Sequence, residues 1–394
     1  MKILITNIWG NNRGDEAQAD ALIAHIINEQ IKPEISCFLA NDKSLEINNP
    51  IKKLPFITSE LLGNDFITRD DLYYNLCERV VAEDKYDLFI EAPHGPDIGD
   101  LYTNRLNYGV SAGRLAKHLS IPIHFAASSY GPFLKDIPYR KEVLSYSNSI
   151  VAREPLSYEY LVNYVPELRD KIHLGIDWVF ASNEADFIYS HNDIFMKEQT
   201  ILQSEDYIGA TINPVPIRRI INDNKKETNA CNNDELASFF DKVIELSKMK
   251  LAFFSHIYPI DSKNITIIVN KMKHNKDVHI INQSIKWFDI VKLMKHLKFF
   301  ISFRYHPTIF AIKAQIPFTC VMNQHKTEGM LRMLGLEEFS LYEDEGINNI
   351  YNIFCSCWNK RLKIVDSILE SKHIVENKTS VNRHILNDFM RLIR

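Results

Sequence analysis

KILITNIWGNNRGDEAQADALIAHI, residues 2 to 26, decides the fold class. Lys2 to Thr6 form a short apolar, β-branched run of the kind used by a buried parallel strand. The chain then turns through Gly10 and Gly14, which reach positive φ without steric cost, and through Asn11 and Asn12, which tolerate the same region. Asp15 stands at the expected N-cap of the next helix, with Gln18 three residues on at the capping-box spacing. Strand, glycine turn and helix open an α/β domain, and the loop after such a strand is where these domains build sites.

The turn's chemistry narrows the ligand. Its glycines do not match G-x-G-x-x-G, and no G-x-x-x-x-G-K-[ST] occurs. Asp15 and Glu16 place negative charge at the positive end of the helix, which makes a poor phosphate cradle. Asn11, Asn12 and Asp15 suit sugar hydroxyls instead, and Asp15 is also a candidate to take a proton from one. The plain alternative is that Asp15 is only a cap.

Working outward, strand-like and helical segments alternate through ISCFLA (35–40), YDLFIEA (86–92), LNYGVSAGRLAKHL (106–119), IPIHFAAS (121–128) and SIVAREPLSYEYL (149–161). The pattern weakens over residues 183 to 206, read as a linker or insertion. It resumes with YIGATIN (207–213), a polar stretch (222–234), a helix over 235–246, then KLAFFSH, HIINQ, WFDIVKLMKHL, FFISFRYHP and PFTCVM. At 394 residues the chain is long enough for two domains. The expected fold is α/β, two Rossmann-like domains facing a cleft, with C-terminal helices packing back on the first. The expected boundaries are 1–185 for an acceptor-side domain, 186–360 for a donor-side domain and 361–394 for a helical tail. Trp287, Phe288, Phe299 and Phe300 read as core.

Composition excludes several classes. The net charge of −4, with Lys and Arg spread evenly, leaves no basic footprint for nucleic acid. The six cysteines, Cys37, Cys77, Cys231, Cys320, Cys355 and Cys357, are scattered, which supports neither a zinc site nor a disulfide framework. The apolar start is too short for a signal peptide, and no stretch of about 18 apolar residues occurs. The expectation is a cytoplasmic protein without a transmembrane segment, able to work peripherally at the inner face of a membrane.

The second informative stretch is SFRYHPTIFA, residues 302 to 311. Read as the end of a strand, its period of two sends Ser302, Arg304 and His306 to one face. Pro307 then suits the first position of a helix. The free amides of that helix, the Thr308 hydroxyl, the Arg304 fork and the His306 ring converge on one anion, a phosphate or a carboxylate. The structural alternative is an ordinary ion pair for Arg304 and a capping role for His306.

With these two motifs, the chain resembles the polysaccharide pyruvyl transferase family. The matching pieces follow in order: GNNRGDEA, AREPLSYEYL with Arg153, Glu154 and Ser157, GID with Asp177, TINP with Asn213, SFRYHPTIFA running on to Pro317, then Lys326 and Gly335. They span roughly residues 7 to 335. EAPHGPDIGDLY (91–102) departs from the pattern, since Pro93, His94 and Pro96 stand where the family more often has a glycine-rich turn. The resemblance implies a GT-B-like fold and transfer of a pyruvyl group from phosphoenolpyruvate onto two hydroxyls of a sugar as a cyclic ketal. It implies no metal or organic cofactor.

Such a reaction needs an acid for the methylene carbon, a cationic clamp and a base. His306 is the candidate acid, since a neighbouring phosphate would hold it protonated. Arg304 and Lys326 are the candidate clamp, and Asp15 the base. His256 and Tyr258 also follow a strand; His256 is a candidate donor-side residue, with a core histidine as the commoner alternative. His94, Asp97 and Asp100 follow the LFIEA strand and are candidates for the acceptor, a sugar or lipid-linked oligosaccharide. Their H-x-x-D-x-x-D spacing is not a recognised metal pattern. Arg153 and Glu154 read as structural. The competing expectations are a GT-B glycosyltransferase using a nucleotide sugar, and a silent sugar-binding member of a glycan assembly complex.

Overall fold

The computed structural model describes residues 1–10, 12–29, 33–39, 52–54, 85–101, 108–135, 138–183, 186–187, 193–214, 217–221, 224–228, 231–257 and 259–393. The chain forms two compact units. Unit 1 comprises Met1–Gly10, Asp15–Phe187 and Val375–Arg394, and unit 2 comprises Asn11–Gly14 and Ile188–Ile374.

Unit 1 runs β1 (Lys2–Ile8), α1 (Arg13–Asn28), β2 (Glu34–Leu39), β3 (Lys52–Leu54), β4 (Leu88–Glu91), α2 (Tyr108–His118), β5 (Ile123–Ser128), α3 (Pro138–Tyr146), β6 (Ser149–Ala152), α4 (Pro155–Tyr164), β7 (Ile172–Leu174) and the short α5 (Trp178–Ala181). The first two residues of α1 count with unit 2. The strands lie in the order β3-β2-β1-β4-β5-β6-β7, every neighbour parallel. Both faces of this sheet are covered, because alternate residues enter different cores. Leu4, Phe89, Phe125 and Ile150 pack in one cluster, and Ile3, Ile5, Leu88, Ile90 and Val151 in the other.

Unit 2 runs α6 (Asp193–Ser204), β8 (Tyr207–Ala210), β9 (Ile217–Ile221), β10 (Asn224–Thr228), α7 (Asn233–Ser247), β11 (Lys250–Phe253), α8 (Ile260–Lys271), β12 (Val278–Ile280), α9 (Trp287–Met294), β13 (Phe299–Ser302), α10 (Tyr305–Ala314), β14 (Phe318–Met322), α11 (His325–Leu334), β15 (Ser340–Tyr342), α12 (Ile347–Asn359) and α13 (Arg361–Glu370). Its sheet order is β12-β11-β8-β13-β14-β15, again all parallel. Counted along the chain this is third, second, first, fourth, fifth, sixth, the doubly wound nucleotide-fold order, and unit 1 follows the same scheme with a seventh strand. Trp287, Phe288, Phe299 and Phe300 are buried as expected of core.

The last helix, α14 (Lys372–Met390), returns the chain to unit 1. Leu386, Phe389 and Met390 join Leu22, Ile26 and Trp178 in one of its cores. Asn382 fastens this return: its Oδ1 accepts from the Ile176 amide at 3.1 Å and its Nδ2 donates to the Ile176 carbonyl at 2.6 Å. No helix among the described residues is long and apolar enough to cross a membrane.

Four local expectations change. Helix α1 begins at Arg13, so Asp15 lies within its first turn; the capping oxygen is Oδ1 of Asn12, which accepts from the Gly14 amide at 3.0 Å. Strand β13 ends at Ser302 and α10 begins at Tyr305, so Pro307 is the third helical residue and His306 the second. Residues 193–204, read as linker, form α6, whose Phe195 and Leu202 are buried. The polar stretch after residue 222 contains β10, which pairs antiparallel with β9 as a separate hairpin.

Candidate functional site

In unit 2 the strand order reverses between β8 and β13, the place where folds of this order build their sites. The Phe303 amide donates to Thr211 Oγ1 at 3.0 Å, which holds the turn after β13 beside the segment after β8. Arg304 follows, 7% exposed. Its Nε donates to the Ile212 carbonyl at 3.1 Å and its Nη2 to Asp261 Oδ1 at 2.5 Å. Asp261, in the first turn of α8, is wholly buried, and its other oxygen accepts the amides of His256 (3.0 Å) and Ile257 (2.9 Å). The ion pair named above as the structural alternative for Arg304 is therefore present.

His306 lies in the first turn of α10, buried, with its ring centroid 6.0 Å from that of His256 and the planes 27° apart. Gly14 belongs to this unit, and a methyl group built on it would meet His306 Nδ1 at 1.7 Å, so only glycine allows this approach. Arg13 is buried beside it. Its Nη1 donates to the Ser255 carbonyl at 2.8 Å, its Nη2 to the Gln283 carbonyl at 2.6 Å, and its amide to the His256 carbonyl at 3.2 Å. Asn12 adds a bridge to Ile257. Lys326 stands in the first turn of α11, half-buried, its Nζ 5.5 Å from the centre of the Tyr305 ring.

These groups share an electrostatic centre at His256. Burial, first, and then the charges of His306, Arg304, Arg13 and Lys326 hold its pKa well below the ordinary value, so it is a neutral imidazole. Glu343, just past β15, is held by the Asn213 Nδ2 and the Cys231 amide, both at 3.1 Å. Burial raises its pKa to about 7, against those hydrogen bonds and the charge of Arg304. Arg13, Arg304, His306 and Lys326 thus place positive charge around His256, and Asp261 pairs with Arg304.

Of the donor-side expectations, Arg304, His306, His256 and Lys326 come together here. Thr308 does not offer its hydroxyl: it is fully buried, and Oγ1 bonds to Ser302 Oγ and the Arg304 carbonyl, both at 2.9 Å. Tyr258 and Asn11 lie outside the described residues. Asp15 is half-buried in α1. Arg13 and Asp261 were not anticipated. Arg13 lies 270 residues from Gln283, whose carbonyl it meets, and Asp261 lies 43 residues from the arginine it pairs with, so neither leaves a local signal.

The carboxyl end of the unit 1 sheet is different. Glu91, at the end of β4, accepts from Thr6 Oγ1 (2.5 Å) and Asn7 Nδ2 (2.8 Å), and burial pushes its pKa up to about 7. His94 is buried, its Nδ1 2.6 Å from the Gly95 carbonyl, and burial lowers its pKa despite the charge of Asp97. Asp97 is buried close by. Asp100 is engaged structurally, since Oδ1 pairs with Arg140 at 2.9 Å and Oδ2 accepts the amides of Leu134 and Lys135. Arg153, 1% exposed, donates to Ser129, Gln18 and Asp177 at 2.6–2.9 Å. Glu154 caps α4 through the Ser157 amide.

The backbone is similar to that of sugar-nucleotide enzymes. UDP-GlcNAc 2-epimerase from Neisseria meningitidis, bound to UDP-GlcNAc, matches with a TM-score of 0.62 at 12% identity, over 98% of this chain and 100% of that one. The Methanocaldococcus jannaschii epimerase, in complex with UDP-GlcNAc and UDP, gives 0.58 at 15% identity over 92% and 94%. Anabaena HepE, in complex with UDP and glucose, gives 0.59 at 10% over 99% of each. At such identities the likeness shows the GT-B-like fold. No curated protein sequence matches significantly. The family described as polysaccharide pyruvyl transferase matches residues 12–325, a span that begins at the Asn12 cap and takes in both Arg304 and His306. The chain belongs to the polysaccharide pyruvyl transferase family.

Proposed function

We propose that this protein transfers the pyruvyl group of phosphoenolpyruvate to two hydroxyls of one sugar in a cell-surface polysaccharide or its precursor, forming a cyclic ketal. The observation that carries this reading is the cationic group at the end of the second sheet, where Arg13, Arg304, His306 and Lys326 all act on His256. Phosphoenolpyruvate carries a carboxylate and a phosphate on one carbon, and such a cluster suits both.

In the scheme, His306 protonates the methylene carbon, which becomes the ketal methyl group. The central carbon bonds one sugar oxygen, loses inorganic phosphate, and bonds the second. Of the two hydroxyl protons, one replaces the proton His306 gave to carbon and the other leaves with phosphate. Arg304 and Lys326 hold the donor's charges. Asp15, next in the chain to Gly14, takes a hydroxyl proton, and Asn12 and Asn11 with His94 and Asp97 bind the acceptor. No metal or organic cofactor enters, and the scattered cysteines suit a cytoplasmic setting.

A second reading has a specific support. The similar structures contain UDP-GlcNAc or UDP, and the same cluster suits a diphosphate. Thermal unfolding separates the two, because a ligand of the native state raises stability by mass action. Phosphoenolpyruvate should raise the midpoint of the wild-type protein, and UDP-sugars should not; the opposite pattern moves the assignment to a glycosyltransferase. His306→Gln should keep the phosphoenolpyruvate shift while phosphate release with a pyruvylatable acceptor falls by about 10²–10⁴-fold, the usual worth of a general acid.

A further inference from the structure

We infer that Asp261 is a positioning residue for the donor site, acting through Arg304; this rests on the reading just given for that site. Asp261 is wholly buried and uses both oxygens. Oδ1 takes Nη2 of Arg304, and Oδ2 takes the amides of His256 and Ile257. One carboxylate therefore joins the turn that carries Arg304 to the turn that carries His256, two segments that follow the strands on either side of β8. With Nε on the Ile212 carbonyl, the guanidinium is held on two sides, and Nη1 is left without a partner among the described residues.

Two consequences follow from elementary chemistry. A free arginine would sample many rotamers and pay their entropy on binding, whereas this one is ordered in advance and presents one edge. Its charge is also partly offset by Asp261, so it acts chiefly as a directed hydrogen-bond donor, while Arg13 and Lys326 add positive charge around His256. Binding of the donor in the ground state and in the transition state should benefit alike, which places the effect in KM.

A double-mutant cycle tests this. Asp261→Asn presents an amide N–H to a donor and should raise KM for phosphoenolpyruvate by about tenfold, with kcat and the acceptor KM changing less than about threefold. Because Asp261 acts through Arg304, adding Asp261→Asn to Arg304→Gln should raise KM no further; effects that add overturn the proposal. A substrate-independent measurement accompanies it. In protein labelled with ¹⁵N-arginine, the Nε–H of Arg304, assigned by its loss in Arg304→Gln, should be protected from exchange, and Asp261→Asn should abolish that protection. Unchanged protection overturns the positioning role, whatever the donor proves to be. Failure of wild-type protein to respond to phosphoenolpyruvate, with protection behaving as expected, instead overturns the donor reading. Should Asp261→Asn fold poorly alone, the pair Asp261→Asn with Arg304→Gln removes both charges and keeps the comparison with Arg304→Gln available.

Discussion

The carboxyl ends of the two parallel sheets share a topology and differ in charge. In unit 2 the segments after β13 and β14 and the start of α1 gather basic side chains around His256, with Asp261 as the carboxylate paired to Arg304. In unit 1 the corresponding loops bury carboxyls, and their arginines are already paired, Arg153 with Asp177 and Arg140 with Asp100, each at 2.9 Å. Burial keeps Glu91 and Glu154 protonated up to about 7, so that end is close to neutral. One architecture thus carries a cationic group at the end of one sheet and buried carboxyls at the end of the other. A donor bearing carboxylate and phosphate needs the first, and an uncharged sugar hydroxyl is compatible with the second.

The largest expected effect breaks the comparison if it is absent. Arg304→Gln should lower kcat/KM for phosphoenolpyruvate by about 10³-fold, the order found on truncating one partner of a buried charge pair. It should also cost about 3–5 kcal/mol of stability, since Asp261 is left uncompensated. Full activity in this variant would mean that the cationic cluster is structural. Arg153→Met in unit 1 should lose a similar amount of stability, about 3–5 kcal/mol by denaturant titration, yet leave KM for phosphoenolpyruvate unchanged. A raised KM there would show that the two ends do not divide the work as described.

Gly14→Ala is next. Its methyl group must displace the His306 ring, and a misplacement of about 1 Å is worth about 10²-fold in rate. Steady-state kinetics should show that loss with the fold intact by circular dichroism. The smallest effect sharpens the contrast in protonation. The Glu91 carboxyl keeps its proton to about 7 in the native state, against 4.5 ordinarily. Between those values the native state binds more protons, so wild-type stability falls as pH rises through that window. Glu91→Gln keeps an acceptor for Asn7 and a donor toward Thr6 but has no proton to lose. Its stability curve should be flatter there, and it should gain on the wild type at pH of about 8; parallel curves would show that Glu91 ionises normally.

Much of this was legible in the chain. The β-branched run at residues 2–6 and its sequels predict parallel strands because a strand buried on both faces must be largely apolar, and β4, β5 and β13 are buried at every residue. SFRYHP marked the candidate site because arginine and histidine at the end of such a strand are the residue types an anion site uses, and the structure brings both beside His256. The boundaries were less legible. Two intervening residues carry the chain from β13 into α10, so His306 reaches His256 from the first turn of a helix and not from the expected strand period.

What sequence alone determined is therefore the class of each element and the residue types available for chemistry, since both follow from local periodicity and side-chain chemistry. Tertiary structure decided the pairings. Asp261 meets Arg304 across 43 residues, and Arg13 meets Gln283 across 270. The burial that makes His256 neutral and Glu91 a weak acid is likewise contributed by segments distant in the chain. A pKa or an ion pair depends on distance and dielectric in space, and a sequence specifies neither until the chain has packed.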